Sequence, residues 1–328
     1  MPRAAVGPLA VHYCARVAGV SLHDYTSDPK ILADCVVRYY ERFRPDAVWV
    51  SADTWVSAQA MGARVGAADA EQPWGGLGPA ILQKAADLDQ IPKPDPGSQG
   101  RYPLMLEALR LIVERLGKEV FVVACFDQYP FSLAAQLLGM NEIMLKLHDD
   151  RPLIEAVMEL CLEYGLAYGR AMGEAGADIL SGGDSPAGLI GPELYRELAF
   201  PYEKRLIAGL KAATGRPVSL HICGDSTPIL KDMAGSGADV LEIDHQVDIA
   251  EACGIVGPDV TLWGNLDPLG RLARDRPVAV QKEVRQLLEA VRKAGHRRFV
   301  LSSGCTLALE TPPENLEAMF QAARVFPL

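Results

Sequence analysis

Three residues of this chain have the type and placement to hold a metal: His221, Cys223 and Cys305. The first two alternate within an apolar run, residues 217–223, that then meets Gly224. If that run is a strand, its period of two points both side chains to one face. Gly224, the hydroxyls of Ser226 and Thr227, and Pro228 then read as a turn into a helix, with Thr227 as N-cap and Pro228 at the first helical position. Cys305 closes a second apolar run, Phe299-Val300-Leu301-Ser302-Ser303-Gly304-Cys305. One imidazole and two thiolates, each at a predicted strand end, make a three-ligand zinc site with one position open. Any one cysteine in an apolar run is otherwise a small core residue, and a lone histidine a structural hydrogen-bonder, so the combination carries the inference.

Thiolate ligands hold zinc firmly, and the open position takes an oxygen or a thiol. A metal-bound thiol loses its proton at neutral pH and becomes a nucleophile, while a bound ether oxygen becomes a better leaving group. Either role suits alkyl transfer. Hydrolysis by a zinc-bound water is the other possibility, and it needs a base such as Asp184 or Asp53 nearby.

The elements that must position these groups are those of an α/β protein. Short apolar runs at 9–14, 47–50, 120–125, 177–180, 218–223, 240–243, 260–263 and 298–301 alternate with helical patterns. Within 151–173, for example, Leu153, Val157, Leu160 and Tyr164 recur at helical spacing. Eight strands in this alternation predict a single (β/α)8 barrel across residues 1–328, although an open doubly wound sheet has similar local signals. Thr311-Pro312-Pro313-Glu314 reads as a capping box opening a helix over 314–325, and Asp267-Pro268 and Gly191-Pro192 start helices in the same style. Residues 62–101, rich in Pro and Gly, interrupt the pattern after the second strand. They are too long for an ordinary βα loop and read as a lid, an interface segment or a plain surface insertion. Neither G-x-G-x-x-G after an early strand nor a P-loop occurs.

Barrel chemistry sits at the carboxyl ends of the strands. The residues there form a polar set: Ser51 and Asp53, Asp127 and Gln128, Asp184 and Ser185, Asp244 and His245, then Asn265 and Asp267. Strand ends favour such residues as helix caps in any case, and Asp267, directly before Pro268, reads as a cap. Asp184 follows two glycines that let a ligand approach, so it is equally a catalytic candidate and a turn residue. Asp53, Asn265 and His245 are the substrate-binding candidates. Trp55, Trp74, Tyr129, Phe131 and Trp263 offer apolar pocket walls, with core packing the more ordinary role for each.

Composition narrows the partners. The chain has 328 residues, with 49% hydrophobic and 23% charged, as in an ordinary globular protein. A net charge of −10 argues against nucleic acid, which is bound through basic patches. No apolar run reaches the roughly 18 residues of a membrane span. Met1 to Val11 carries one Arg but no cleavage signal and reads as mature protein. Seven scattered cysteines, an odd number, fit a reducing cytoplasm with free thiols or a metal site.

From about Asp46 onward the chain resembles the uroporphyrinogen decarboxylase superfamily, and more closely its corrinoid-dependent methyltransferase branch. The matching pieces are His221-Ile222-Cys223-Gly224, Trp263-Gly264-Asn265-Leu266-Asp267-Pro268, and Ser303-Gly304-Cys305 followed by Thr311-Pro312-Pro313-Glu314-Asn315-Leu316. Gly176-Ala177-Asp178-Ile179 leading to Asp184, then Gly191-Pro192-Glu193, also fits. The resemblance implies a (β/α)8 barrel with zinc on His221, Cys223 and Cys305, and a carboxylate, for which Asp184 is the candidate, completing the resting shell. It implies transfer of a methyl group between a small donor or acceptor and the cobalt of a corrinoid (methylcobalamin or cob(I)alamin) carried by a separate protein. An aryl methyl ether, as in O-demethylation, another methylated compound or a thiol would serve. True decarboxylases of the superfamily carry an N-terminal R-Q-A-G-R motif and a C-terminal G-H-G element. Here Tyr13-Cys14-Ala15-Arg16-Val17-Ala18-Gly19 keeps one arginine, and Cys305 stands in the second element. Asp53 lies where a decarboxylase has its catalytic aspartate; in a methyltransferase it would be a polar wall. Decarboxylation and a non-enzymatic corrinoid- or tetrapyrrole-binding role are the rival expectations.

Overall fold

In a computed structural model of the chain, which describes residues 3–69, 71–77 and 80–327, the apolar runs become eight parallel strands. They are β1 (Ala5–Val6), β2 (Ala47–Val50), β3 (Phe121–Gln128), β4 (Ile179–Gly183), β5 (Ser219–Ile222), β6 (Val240–Ile243), β7 (Thr261–Leu266) and β8 (Phe299–Ser303). Each pairs with its sequence neighbour from β2 to β8, and β1 pairs with β8. Only β1 and β2 lack a ladder; there the Asp46 amide donates to Val6 O at 2.8 Å, and the Asp46 carboxylate accepts from the Val6 amide at 2.8 Å. The result is a (β/α)8 barrel, closed at that seam by one aspartate.

Helices pack outside. The segment Arg151–Glu174 forms one long helix with Leu153, Val157 and Tyr164 buried, as the spacing predicts. Inside the barrel a separate small cluster of Leu9, Val11, Trp49, Val123, Val240 and Trp263 is buried. The Trp49 and Trp263 rings, from strands that are not neighbours, meet edge to face at 5.9 Å. Leu9, Val11 and Trp49 of this plug also form the floor of a cavity at the carboxyl ends of the strands.

The first predicted strand is corrected. Residues 9–14 do not join the sheet: β1 lies earlier, and Tyr13–Ala18 is a helix. The ladder runs out at Gly7, whose carbonyl accepts the Trp263 indole N–H at 2.7 Å, and Pro8 has no amide to continue it. Leu9 and Val11 are apolar because they belong to the interior plug. Two helix starts also shift. The C-terminal helix is Pro313–Arg324 with Pro312 at the N-cap and no side-chain cap, and the Thr311 hydroxyl is buried without a partner. After β5, Ser226 rather than Thr227 precedes the short turn Thr227–Ile229.

The described residues of 62–101 are irregular apart from a short 3₁₀ turn, Ala85–Gln90. A small antiparallel bridge joins Gly66 to Trp74, and Gly75 lies against the Trp55 ring. Among the described residues, no helix is long and apolar enough to cross a membrane.

Candidate metal centre

The chain brings His221 and Cys223 together locally. Both project from the end of β5, and Gly224, at φ +85°, turns the backbone away immediately afterwards. Cys305 arrives from the far side of the sequence, just beyond β8. Gly304 makes that approach possible: a Cβ there would collide with the His245 amide nitrogen. Its own amide donates to Leu266 O at 2.7 Å and fixes the corner.

The three donor atoms lie within 4.8 Å of one another. His221 Nε2 is 3.0 Å from Cys223 Sγ, and the two sulfurs are 3.6 Å apart. Two thiolates bound tetrahedrally at about 2.3 Å lie about 3.8 Å apart, so the sulfur spacing fits zinc. The other ring nitrogen, His221 Nδ1, is 3.0 Å from Glu242 O; a proton donated there leaves Nε2 as the coordinating atom. The Cys223 amide donates to Ser185 Oγ at 3.2 Å. The residues present therefore suit a soft, borderline cation.

The three groups compete for protons when no cation is bound. Burial opposes a charge on His221, but its hydrogen bond to Cys305 and the charges of Cys305 and Glu242 carry it up to about 9. The hydrogen bond with Cys305 holds the Cys223 thiol below its ordinary value, and the same bond together with burial pushes Cys305 up to about 12.

The centre forms part of the wall of a cavity of about 210 Å³ at the strand ends. That is below the roughly 300–1,000 Å³ typical of drug-sized ligands, so it suits a small molecule. Leu9, Val11 and Trp49 form apolar wall, while Asp53, Asp127 and Glu242 bring carboxyl groups. Among the described residues, no lysine or arginine lines it.

Asp53 does reach this cavity, but it is not free: Arg101 grips both of its oxygens, and the Trp55 amide donates to Oδ1 at 2.8 Å. Asp184 is corrected. It is fully buried outside the cavity, with Oδ1 accepting from the Ser132 amide at 2.7 Å at the start of the helix Pro130–Leu138. Its other oxygen faces the buried carboxyl of Glu203, which also accepts from Tyr195 OH at 2.6 Å. Burial first and the Asp184 charge second push Glu203 well above the carboxylate range, so the pair shares a proton. Asn265 likewise spends its amide on Asp244 O and Val247 O, at 3.0 and 2.8 Å, holding a loop. His245 is exposed and pairs with Asp244 Oδ1 at 2.8 Å, outside the lining. Asp267 caps as expected, accepting from the amides of Leu269 and Gly270, both at 2.9 Å. None of Trp55, Trp74, Tyr129, Phe131 and Trp263 lines the cavity; Trp49 is its tryptophan.

Sequence reasoning passed over Glu242, His12 and Cys125. The signal for Glu242 was present: a lone acid inside the apolar run 240–243, where only a hydrogen-bonded role tolerates it. Its carboxylate accepts Ser181 Oγ–H at 2.8 Å and Ser219 Oγ–H. In the sequence Asp127 reads only as a strand-end residue. A bulge between β3 and β4 gives it φ +80° and turns it into the cavity, where its Oδ2 accepts the Ser57 amide at 2.7 Å. Burial pushes its carboxyl up to about 7.

The profile of the family described as Uroporphyrinogen decarboxylase (URO-D) matches residues 1–326. The chain belongs to the uroporphyrinogen decarboxylase family. Among its relatives, "Methylcobamide:CoM methyltransferase MtbA" of Methanosarcina mazei is 32% identical over 285 residues, 85% of this chain and 79% of that one. A protein named uroporphyrinogen decarboxylase, from Prochlorococcus marinus, is 26% identical over 312 residues, 93% of this chain and 85% of that one. A solved methyltransferase from Methanosarcina mazei superposes with a TM-score of 0.88 at 24% identity, covering 98% of this chain and 94% of that one, and supports the fold. The uroporphyrinogen decarboxylase family thus includes relatives named for two different reactions. Arg16, the one arginine kept in the N-terminal stretch, is exposed and donates to Leu309 O, away from the cavity.

Proposed function

We propose that this protein is a zinc-dependent methyltransferase that moves a methyl group between a small molecule and the cobalt of a corrinoid held by a separate protein. The observation that carries the reading is the His221/Cys223/Cys305 cluster in the wall of a small cavity without lysine or arginine. Relatives named methylcobamide:CoM methyltransferases support it. A porphyrinogen rich in carboxylates needs an arginine cluster to hold it, and among the described residues no arginine or lysine lines this cavity. The decarboxylase alternative leans on Asp53, whose two oxygens are already taken by Arg101.

His221, Cys223 and Cys305 would hold the zinc, which when bound makes a thiol more acidic or an ether oxygen a better leaving group. The chain's own residues do the rest. The Glu242 carbonyl orients the His221 ring, Ser185 steadies the Cys223 backbone, and Leu9, Val11 and Trp49 keep water from the reacting centre. Asp53, locked to Arg101, serves as polar wall. We read residues 62–101, which contribute Gln72 to the lining and Arg101 to the Asp53 pair, as a cover for the mouth of one barrel domain. Free thiols throughout suit a reducing cytoplasm. Donors to be screened include aryl methyl ethers.

The test is the zinc content of purified wild type beside Cys305→Ser, followed by methyl transfer to cob(I)alamin from candidate donors. Wild type should hold about one zinc per chain, the variant almost none, and transfer should follow zinc content. A folded wild type that takes up no zinc when supplied with it sinks the reading.

A further inference from the structure

The charges around the cavity do not cancel. Asp53 is neutralised by Arg101, whose Nε is also committed to Gln59 at 2.6 Å. Asp127 and Glu242 remain, both buried, neither with a cationic side chain among its hydrogen-bond partners. Asp127 Oδ1 has only a long contact, 3.3 Å, from the Gln128 amide group.

Two carboxylates of the lining are held by backbone amides from just outside it. The Trp55 amide donates to Asp53 at 2.8 Å and the Ser57 amide to Asp127 at 2.7 Å. Zinc would not reverse the balance, because its two positive charges are offset by two thiolates while the histidine ligand is neutral. A sulfonate, carboxylate or phosphate entering here would lose its hydration beside two acids and gain no cation in exchange.

We propose that the cavity, taken as the methyl-transfer site, selects a small substrate whose non-reacting end is a hydrogen-bond donor without negative charge, an alcohol or an amine, and that Asp127 receives that donor. This rests on the methyltransferase reading for the reacting end and on the cavity's charge for the other.

Three thiols that share a two-carbon spacer separate the possibilities: 2-mercaptoethanol, cysteamine and 2-mercaptoethanesulfonate. Their binding to the zinc-supplied protein is measured by calorimetry, for wild type and Asp127→Asn, with zinc assayed on the same samples. At pH 8, where Asp127 carries its charge, the sulfonate should bind at least about tenfold more weakly than either of the others, since like charges a few ångströms apart in a partly dry site repel by more than that. Asp127→Asn should shrink the cysteamine-to-sulfonate ratio severalfold while Asn, tolerant of positive φ, keeps the bulge. A sulfonate that binds as well as the alcohol, a ratio unmoved by Asp127→Asn, or no binding by any of the three overturns the proposal. Wild type that takes up no supplied zinc yet keeps the charge selection supports it and overturns the metal reading alone.

Discussion

Cys223 Sγ and Cys305 Sγ lie 3.6 Å apart although 82 positions separate them in the chain. The first stands beyond β5, the second beyond β8, and only closure of the barrel brings the two ends to one cavity wall. Two half-buried cysteines and an imidazole so close are a poor apolar core and a good ligand set.

Metal should therefore stabilise the folded chain. Adding zinc to metal-free wild type is expected to raise Tm in a concentration-dependent way, because the cation binds only where the three donors are assembled. In Cys223→Ser the dependence should weaken by at least about tenfold in zinc concentration. A thermal melt series with and without chelator reads this; identical zinc dependence in variant and wild type would count against the ligand assignment.

The Arg101 pair with Asp53 is nearly dry, with side-chain exposures of 14% and 0%. Removing one partner of such a pair leaves a buried charge behind. Arg101→Met is expected to destabilise the protein by about 3–5 kcal/mol, and adding Asp53→Asn should recover a substantial part of that loss. Urea unfolding of the two single variants and the double variant gives the coupling; strictly additive losses would show that the pair is not coupled.

Asp127 makes stability depend on pH. The native carboxyl keeps its proton up to about 7, whereas the unfolded chain releases it near the ordinary value of 3.8. Between those values the native state binds more protons, so this group's stabilising contribution is full below about 4 and falls as pH rises through about 7. The whole decline amounts to about 4 kcal/mol. Asp127→Asn should flatten the curve of unfolding free energy between pH 4 and 8 relative to wild type, and an unchanged slope would place the titration elsewhere.

Glu203 and Asp184 face each other with one oxygen apiece lacking any other hydrogen-bond partner. A proton between them satisfies both. Glu203→Gln supplies a permanent donor and should stay within about 1 kcal/mol of wild type near neutral pH, while Glu203→Ala should cost about 3 kcal/mol by leaving Asp184 unsatisfied beside a hole. Equal losses in the two variants, read by denaturant unfolding, would mean that the carboxyl pair is not the partner of Asp184.

What was legible in the residues themselves was whatever local periodicity decides. The alternation of His221 with Cys223 predicts a shared face because a strand has a period of two, and the apolar runs from 47–50 onward lie within or overlap the strands of the barrel. Cys305 could be joined to them because barrels gather strand ends. Residues 9–14 misled for the same reason: an apolar run that plugs a barrel has the composition of a strand, and only Pro8 and the Trp263 contact decide otherwise.

Side-chain direction past the strand ends belongs to tertiary structure. Asp127, Asp184 and Asn265 look alike in sequence, each a polar residue at or just past an apolar run. One is swung into the cavity by a bulge, one is captured by the amide of Ser132, and one is spent on two loop carbonyls. Those outcomes depend on which buried donor or acceptor stands nearby, and that neighbour comes from another strand or helix whose position exists only once the barrel has closed.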